Sequence, residues 1–423
     1  MRVLVVGGGG REHAIIRKLK ESKKITEIYA LPGNGGMYKD ATAVAIGAKD
    51  IDGIVKFAVE NKIDYAVVAP DDPLVLGCVN ALSEVGIPCF GPTKEAAIIE
   101  GSKVFSKNLM KKYGIPTAKY EVFSDAESAL EYVKTGPIPT VIKADGLALG
   151  KGVIIAFTRE EAVEAVSSIM TDKKFGSSGD NIVIEEFLEG PEVSVLAFTD
   201  GKVVKPMVSS MDHKRALDGD KGLNTGGMGT IAPNPYYTSA VAEECMAKIF
   251  LPTIEAMKSE GREFKGCLYF GLMLTKDGAK VIEYNCRFGD PETQVVLPLL
   301  ESDLFEIMQA TTNGTLADCE VKFSDKYACC VIMASKGYPE KYQSGFEMVI
   351  PEEIEKDVYV AGAKYENGKI YSAGGRVLGV TDVSTSLKSA IDGAYKKVKM
   401  IKFDNAFYRH DIGARALMAT EEK

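Results

Sequence analysis

The alternation of short apolar segments with helical segments along the first hundred residues most limits how this chain can fold. Three apolar segments, each followed by Gly or Pro, are separated by stretches with helical spacing. The predicted strands are Val3–Val6, Thr26–Leu31 and Tyr65–Ala69, and the predicted helices are 11–20, 51–61 and 73–85. Strands that alternate with helices form a parallel sheet that binds ligands at the carboxyl ends of its strands. We therefore predict a doubly wound α/β domain at the N-terminus.

The glycine run at 7–10 joins the first strand to the first helix, where many α/β proteins bind a nucleotide. The dinucleotide pattern G-x-G-x-x-G fails here, because its last position falls on Glu12 or His13. The second strand also ends without the acidic residue that would hold a ribose hydroxyl. The pattern disfavours NAD, although amides at a glycine turn and a helix N-terminus still form a good phosphate cradle.

Length, charge and cysteine spacing exclude several classes of function. At 423 residues the chain is too long for one core, and its net charge of −8 gives no footprint for nucleic acid or an anionic membrane. No apolar run approaches the roughly 18 residues of a membrane span, and the N-terminus has no signal-peptide pattern. The eight cysteines form no C-x-x-C pair. We expect a cytoplasmic protein with reduced thiols.

Beyond residue 92 the pattern changes to a mixture of helices and strands that predicts α+β domains. The predicted helices lie at 94–113, from about 124, at about 159–170, at 239–258 and at about 384–399. The predicted strands lie at 120–123, 140–144, 153–157, 182–188, 192–199, 203–208, 267–274, 280–287, 328–334, 369–372 and 376–380.

Polar side chains alternate with apolar ones along the predicted strand 281–287. A period of two places Glu283, Asn285 and Arg287 on the same face. Carboxylate and amide oxygens suit Mg²⁺, and Arg pairs bidentately with carboxylate or phosphate. The residues alone leave open a half-buried strand with a solvated polar face.

A glycine-rich loop at 145–152 follows Lys143 and lies between two predicted strands. The loop is not a P-loop, because Lys151 precedes Gly rather than Ser or Thr and a strand follows. Its amides and the lysine could hold a triphosphate, and a mobile surface turn is the alternative. The segment 182–192 could likewise read an adenine edge, or could be a strand end with solvated glutamates.

The order of these pieces resembles the ATP-grasp superfamily, and within it the phosphoribosylamine–glycine ligases, also called glycinamide ribonucleotide synthetases. The resemblance runs from residue 1 to about 417. Its motifs are GGGGREHA (7–14), PGN (32–34), IKADGLALGKGV (142–153), VIEEFLEG (183–190), DHKR (212–215), NTGGMG (224–229), NCRFGDPE (285–292), GGRVLGV (374–380) and FYRHDIGARAL (407–417).

The resemblance implies three domains and a reaction. The domains are a Rossmann-like, pre-ATP-grasp domain at 1–101, a two-subdomain ATP-grasp domain at 102–317 with a lid at about 117–190, and a mixed β/α domain at 318–423. The implied reaction joins glycine to 5-phosphoribosylamine with ATP, through glycyl phosphate, in the second step of de novo purine synthesis. A monomer or small homo-oligomer is expected, with transient contacts to neighbouring purine-pathway enzymes and no nucleic-acid or membrane partner.

The resemblance also implies the site residues. Glu283 and Asn285 would bind Mg²⁺ or Mn²⁺, and Arg287, Lys143 and Asp290 would be catalytic, with Asp290 capping the following helix and orienting Arg287. The implied ATP-binding residues are Lys103, Lys143, Gly146, Gly150, Lys151, Gly152, Glu185, Leu188 and Glu192. The implied substrate-binding residues are Gly9, Arg11, Glu12, Asn34, Asp71, Asp212, Lys214, Arg215, Asn224, Gly226 and Gly227.

Three residues depart from the family pattern. Asp71 stands where the family has a glutamate, Leu149 stands where alanine is common, and His410 replaces a usual lysine. Two alternatives to the ligase remain at this point. One is another ATP-grasp carboxylate–amine ligase or a carboxylase, and the other is a non-catalytic nucleotide-binding protein.

Overall fold

The N-terminal domain is built on a parallel sheet, in a computed structural model that describes residues 1–147 and 152–421. Its first elements are β1 (Arg2–Gly7), α1 (Gly10–Leu19), β2 (Glu27–Pro32), β3 (Thr42–Ala43), α2 (Ile51–Glu60), β4 (Tyr65–Val68) and β5 (Cys89–Phe90). The strand order is β3-β2-β1-β4-β5, with every pairing parallel. The predicted doubly wound architecture is confirmed.

Two predicted helices are each split in two. The resulting helices are α3 (Asp71–Leu76), α4 (Cys78–Glu84), α5 (Lys94–Gly101) and α6 (Lys103–Tyr113). Gly77 separates the first pair because it adopts a left-handed φ of 91°, which glycine tolerates best. Ser102 separates the second pair, and its hydroxyl accepts the N–H of Phe105 as the N-cap of α6.

A separate antiparallel sheet, here called the lid sheet, covers residues 120–186. The elements of this region are β6 (Tyr120–Phe123), α7 (Ala126–Thr135), β7 (Thr140–Ala144), β8 (Val153–Ala156), α8 (Arg159–Val166) and β9 (Ile182–Glu186). The strand order is β6-β9-β7-β8. Ile142, Ile182 and Val166 are fully buried in the core between the sheet and its helices, which gives this region a hydrophobic core of its own.

The remaining strands and helices follow between residues 192 and 421. The strands are β10 (Glu192–Thr199), β11 (Val204–Pro206), β12 (Met211–Asp212), β13 (Arg215–Leu217), β14 (Lys221–Asn224), β15 (Gly229–Ala232), β16 (Gly266–Thr275), β17 (Gly278–Asn285), β18 (Tyr327–Ser335), β19 (Glu347–Met348), β20 (Val358–Val360), β21 (Ala363–Glu366), β22 (Lys369–Ser372), β23 (Arg376–Ser384) and β24 (Ala406–Phe407). The helices are α9 (Ser239–Cys245), α10 (Leu251–Ser259), α11 (Thr293–Leu299), α12 (Leu304–Asn313), α13 (Leu387–Val398) and α14 (Ala414–Glu421). Turns of 3-10 or π geometry lie at Met37–Lys39, Ser167–Thr171, Gly176–Gly179, Met246–Phe250, Leu316–Asp318 and Glu352–Asp357. Within the described ranges, no helix is both long and apolar enough to cross a membrane.

These strands form two larger antiparallel sheets. The first has the order β11-β10-β16-β17, and the second has the order β12-β15-β18-β23-β20 with β24 beside β18. The second sheet therefore joins residues 211–232 to the C-terminal part of the chain. Two small sheets, β13-β14 and β19-β22-β21, complete the fold. The domain boundaries remain a prediction.

A β-bulge in β17 sets the direction of its polar side chains. Gly271 pairs with Glu283 and Leu272 pairs with Val281, which leaves Ile282 without a cross-strand partner. Val281 and Tyr284 consequently both face the core. The prediction of strict alternation through residue 287 is wrong, because the bulge changes the register and the strand ends at Asn285.

Candidate active site

A cavity of about 1000 Å³ lies between the lid sheet and β17 and reaches the N-terminal domain. Most of the predicted site residues line it: Arg11, Asp71, Lys103, Lys143, Gly152, Glu185, Leu188, Glu192, Asp212, Lys214, Arg215, Asn224, Gly226, Glu283, Asn285, Arg287 and Asp290. The predicted residues Gly9, Glu12, Asn34, Gly146 and Gly227 lie outside this lining. Gly150 and Lys151 lie outside the described residues, as does Leu149.

Glu283 and Asn285 present oxygens to the cavity from the end of β17. The carboxylate of Glu283 lies 3.6 Å from the ammonium of Lys214 and is one-third exposed. Burial opposes its charge, but Lys214, Lys143 and Lys103 outweigh that effect and lower the pKa of Glu283 to about 2. The amide oxygen of Asn285 accepts a 3.2 Å hydrogen bond from the guanidinium of Arg287.

The chemistry of this oxygen pair fits Mg²⁺. Mg²⁺ is held by one or two protein carboxylates together with substrate phosphates and water, rather than by an all-protein cage. Glu283 stays ionised at neutral pH, and both oxygens face cations that a phosphate-bound metal could replace. No group of three or more His, Cys, Asp or Glu residues suited to a metal occurs in the described part of the chain.

Two lysines approach the same region from different elements. Lys103 begins α6 and donates to the carbonyl oxygen of Gly146 at 3.0 Å. Burial lowers the pKa of Lys103 despite the opposing effect of Glu283. Lys143 lies in β7 of the lid sheet and donates at 2.8 Å to the carbonyl oxygen of Ile282 in β17. The two lysines therefore bring positive charge to the metal-binding candidates from α6 and from the lid.

A buried ion triad lies at the end of β9. The carboxylate of Glu185 lies 3.0 Å from the ammonium of Lys143 and 3.1 Å from that of Lys107. Burial lowers the pKa of Lys107 to about 8, although Glu185 opposes the shift. Lys107 was not among the residues predicted from the sequence. Its position one turn after Lys103 on α6 was the available signal, because residues four apart share a helix face.

Arg287 follows the end of β17 and pairs with a residue from the N-terminal part of the chain. Its Nη2 lies 2.9 Å from the carboxylate of Glu100, which the sequence analysis did not identify. Burial opposes its charge, but Glu100 and then Asp71 raise the pKa of Arg287. The Nε–H of Arg287 is buried and has no hydrogen-bond partner among residues 1–147 and 152–421. A buried donor without an acceptor costs about 1–3 kcal/mol, so a ligand oxygen is the expected partner.

Asp290 lies at the N-terminus of α1 and does not cap the helix that follows it. The N-cap of α11 is Glu292, without a side-chain cap bond, so the predicted capping role is wrong. The carboxylate of Asp290 instead accepts a long, 3.4 Å hydrogen bond from the backbone N–H of Arg11 and lies 3.5 Å from Arg376. Arg376 belongs to the GGRVLGV motif, which was the sequence signal for it.

The predicted substrate residues of the N-terminal domain shape two loops beneath the cavity. Glu12 accepts the N–H of Gly9 at 2.6 Å and the Nε–H of Arg11 at 2.6 Å. The amide of Asn34 donates to the carbonyl oxygens of Gly8 and Val360. Glu12 and Asn34 therefore hold backbone in place, whereas Arg11 lines the cavity itself.

The DHKR segment is not an exposed charge run, because Asp212, Lys214 and Arg215 line the cavity and His213 is buried. Burial and Glu292 raise the pKa of Asp212, although Lys214 opposes them. Lys214 lies 3.4 Å from Glu192. His213 is buried, and its ring bonds to the carbonyl oxygen of Gly229 and the N–H of Gly413. A side chain at Gly227, whose φ is 117°, would collide with Asp212.

The fold and the site together define an ATP-grasp enzyme. Two antiparallel sheets enclose a cavity in which Lys103 and Lys143 face the oxygens of Glu283 and Asn285. The chain belongs to the phosphoribosylglycinamide synthetase family. The model of the family's N domain matches residues 1–100, that of its ATP-grasp (A) domain matches 101–293, and that of its C domain matches 328–415.

Comparison with individual proteins agrees with this assignment. The chain is 48% identical to the phosphoribosylamine–glycine ligase of Caldanaerobacter subterraneus, over 98% of this chain and 100% of the relative. The crystal structure of phosphoribosylamine–glycine ligase from Thermotoga maritima superposes with a TM-score of 0.85 at 33% identity, and covers 97% of this chain and 100% of that one. The biotin carboxylase domain of the Hydrogenobacter thermophilus 2-oxoglutarate carboxylase, solved with MgADP and bicarbonate, has a TM-score of 0.74 at 19% identity, covers 96% of this chain and 91% of that chain, and shares the fold alone.

Proposed function

We propose that the protein ligates glycine to 5-phosphoribosylamine, with ATP as co-substrate, giving N1-(5-phosphoribosyl)glycinamide, ADP and phosphate. This is the second step of de novo purine synthesis. The observation that carries the proposal is the grouping of Glu283, Asn285 and Arg287 at one end of β17, opposite lysines from α6 and the lid sheet. Such a site can bind a triphosphate and a carboxylate side by side.

ATP would lie between the lid sheet and β17. Lys103 and Lys143 would neutralise phosphate charge, Glu185 and Leu188 would border adenine, and Glu192 would hold the ribose. Amides of the glycine loop, with Gly146, Gly150, Lys151 and Gly152, would cover the phosphates. Glu283 and Asn285 would hold Mg²⁺ or Mn²⁺, which when bound would draw negative charge from the phosphate oxygens during transfer.

The reaction would proceed in two displacements. First, a carboxylate oxygen of glycine attacks the γ-phosphorus, the bond to the β-phosphate oxygen breaks, and ADP and glycyl phosphate form. Positioning and charge neutralisation supply most of the catalysis in phosphoryl transfer, so Arg287 and Lys143 act without a protein nucleophile. The free Nε–H of Arg287 would donate to the glycine carboxylate.

In the second displacement the amine of 5-phosphoribosylamine attacks the carbonyl carbon of glycyl phosphate, and phosphate leaves as the amine loses a proton. The amine substrate would lie at the carboxyl edge of the N-terminal sheet, within the region shaped by Gly9, Arg11, Glu12, Asn34 and Asp71. Residues of the DHKR and NTGGMG motifs would close over both substrates: Asp212, Lys214, Arg215, Asn224, Gly226 and Gly227. Asp290 would act with the catalytic residues Arg287 and Lys143. Exclusion of water would protect glycyl phosphate from hydrolysis.

The test is ADP release by the purified protein with Mg²⁺-ATP, glycine and freshly generated 5-phosphoribosylamine, omitting one component at a time. We expect ADP release to need the protein, Mg²⁺-ATP, glycine and 5-phosphoribosylamine, with one glycinamide product formed for each ADP. Release that depends on bicarbonate rather than glycine would overturn the substrates and favour a carboxylase. Binding of ATP without any release would favour a non-catalytic nucleotide-binding protein.

The cellular setting of the enzyme remains a prediction. We expect a cytoplasmic location, a monomer or small homo-oligomer, and transient contact with neighbouring pathway enzymes, because 5-phosphoribosylamine is unstable.

A further inference from the structure

Glu100 is a buried carboxylate, and both of its oxygens contact residues that directly follow β17. It lies in the last turn of α5 and is 8% exposed. One carboxylate oxygen, Oε2, accepts the backbone N–H of Cys286 at 2.7 Å. The other, Oε1, lies 2.9 Å from the Nη2 of Arg287. Glu100 therefore holds the backbone just before Arg287 and the guanidinium itself.

The other contacts of Arg287 are weaker. Its Nη2 also donates to Asn285 at 3.2 Å, and its Nη1 donates to the carbonyl oxygen of Phe288 at 3.5 Å, a distance at the limit of hydrogen bonding. Its Nε–H has no acceptor in the described residues. The 2.9 Å contact with Glu100 is thus the shortest contact that holds the guanidinium, and the neighbouring Nε–H is left for another acceptor.

The same short segment also places a lysine in the cavity. Glu100 ends α5, Ser102 caps α6, and Lys103 is its first residue. The hydroxyl of Ser102 donates at 2.9 Å to Asp145, at the start of the glycine loop, and Asp145 accepts the N–H of Val104 at 2.8 Å. Residues 100–103 therefore connect three parts of the site: Arg287, the glycine loop and the cavity.

We propose that Glu100 is a positioning residue for the ligation: it fixes the guanidinium of Arg287 so that Nε–H points at the glycine carboxylate. The inference rests on the proposed function. If the ion pair were merely structural, it would hold α5 against the end of β17, and its loss would affect folding but not the turnover of the folded protein. The two roles can be distinguished by the effect of Glu100→Gln on turnover in a protein that already carries a substitution at Arg287. A positioning residue should then have little further effect.

The test is a double-mutant cycle on kcat with Glu100→Gln and Arg287→Lys. Gln keeps the size of the side chain and an acceptor for the N–H of Cys286 but loses the charge. We expect Glu100→Gln to lower kcat about 10-fold with the KM for ATP unchanged, Arg287→Lys to lower it about 10³-fold, and the double variant to match Arg287→Lys within about threefold. Glu95→Gln, an exposed position on the same helix, is the matched control and should leave kcat unchanged.

Independent losses that multiply to about 10⁴-fold in the double variant would overturn the positioning role while leaving the ligase reaction in place. An unchanged kcat in Glu100→Gln would do the same. A wild-type protein without glycine-dependent ADP release would overturn the proposed function, and the inference with it. If Glu100→Gln does not fold, Glu100→Asp, which keeps the charge at a shorter reach, replaces it in the same cycle.

Discussion

Arg287 and Arg409 are both largely buried arginines that pair with carboxylates, yet their hydrogen bonds differ. Arg409 is 2% exposed, and its Nε and Nη2 each donate at 2.8 Å to the two oxygens of Asp411. Its Nη1 donates to Asp220 at 2.9 Å and to the carbonyl oxygen of Arg215 at 3.1 Å. Arg287 has one short ionic contact, with Glu100, and a buried Nε–H without an acceptor in the described chain.

This difference distinguishes a guanidinium whose donors are satisfied within the protein from one that has a donor left for a ligand. The donors of Arg409 are satisfied within the protein, so it can only hold the β13-β14 hairpin to the C-terminal segment. Arg287 keeps a donor free at the cavity, which costs stability in the free protein and is recovered when an oxygen of a ligand arrives. Substitutions at the two positions should therefore affect different measurements.

The largest effect is expected at Glu283, beside Arg287. Glu283→Ala should lower kcat for ADP release by about 10⁴-fold, because it removes the carboxylate that we propose as a ligand for the phosphate-bound metal. The thermal midpoint should stay within a few degrees of wild type, since the side chain is one-third exposed. Glu301→Gln, an exposed carboxylate paired with Lys322, is the control. Loss of folding in Glu283→Ala would give Glu283 a structural role and weaken the contrast with Arg409.

Arg287→Lys tests the binding side of the comparison. Lysine keeps the charge but cannot supply an Nε–H and an Nη–H at the same time, so kcat should fall about 10³-fold. Far-UV circular dichroism and the denaturant midpoint should stay near the wild-type values. A variant that loses stability and keeps its turnover per folded molecule would reverse the assignment.

Arg409→Lys tests the folding side. Lysine keeps the charge but cannot form the bidentate pair with Asp411 together with the bonds to Asp220 and Arg215, so the free energy of unfolding should fall by about 3–4 kcal/mol. Urea titration measures this loss. Turnover per folded molecule should remain within about threefold of wild type, because Arg409 does not line the cavity. A selective loss of kcat at unchanged stability would contradict it.

Features that depend on the local sequence were predicted, whereas features that depend on contacts between distant parts of the chain were missed. The parallel sheet of the N-terminal domain and the polar strand end at 283–287 were predictable, because periodicity and motif order are local properties. Glu100 was missed because its partner Cys286 is 186 residues away and nothing in the sequence links the two. The bulge at Ile282 was missed because it depends on how β17 pairs with β16.

Two buried histidines, like Arg409, have hydrogen-bond partners within the protein, and they predict a pH dependence of the folding free energy. The Nε2 of His213 accepts the N–H of Gly413, and the Nδ1 of His13 accepts the N–H of Val360. Burial lowers the pKa of each histidine to about 4. The unfolded chain then binds more protons than the native state between about pH 6.5 and pH 4, so stability is lost as the pH falls through this range.

The expected loss between pH 7 and pH 4.5 is about 2.4 kcal/mol for each histidine, measured by urea titration at the two pH values. His213→Gln should flatten this pH dependence, although it lowers stability at pH 7. His410→Gln, at an exposed histidine, is the control. If the free energy of unfolding of His213→Gln depended on pH as it does in wild type, His213 would have the same protonation state in the folded and the unfolded protein.

The smallest effect is expected at the exposed pair between His410 and Asp218, 3.0 Å apart. This pair lies on the same two segments that Arg409 joins. Asp218→Asn should change the free energy of unfolding by less than about 0.5 kcal/mol, because exposed ion pairs are well solvated. A loss of stability as large as that of Arg409→Lys would show that the exposed pair, rather than the buried arginine, holds the two segments together.

The most direct test of the ligation at the end of β17 is the fate of the glycine oxygens. Glycine labelled with ¹⁸O in its carboxylate is incubated with the protein, Mg²⁺-ATP and 5-phosphoribosylamine, and the released phosphate is analysed by mass spectrometry. Attack by the carboxylate on the γ-phosphorus predicts one ¹⁸O atom in each phosphate released. Unlabelled phosphate, formed together with the glycinamide product, would show that glycyl phosphate does not form and would contradict the role given to Arg287.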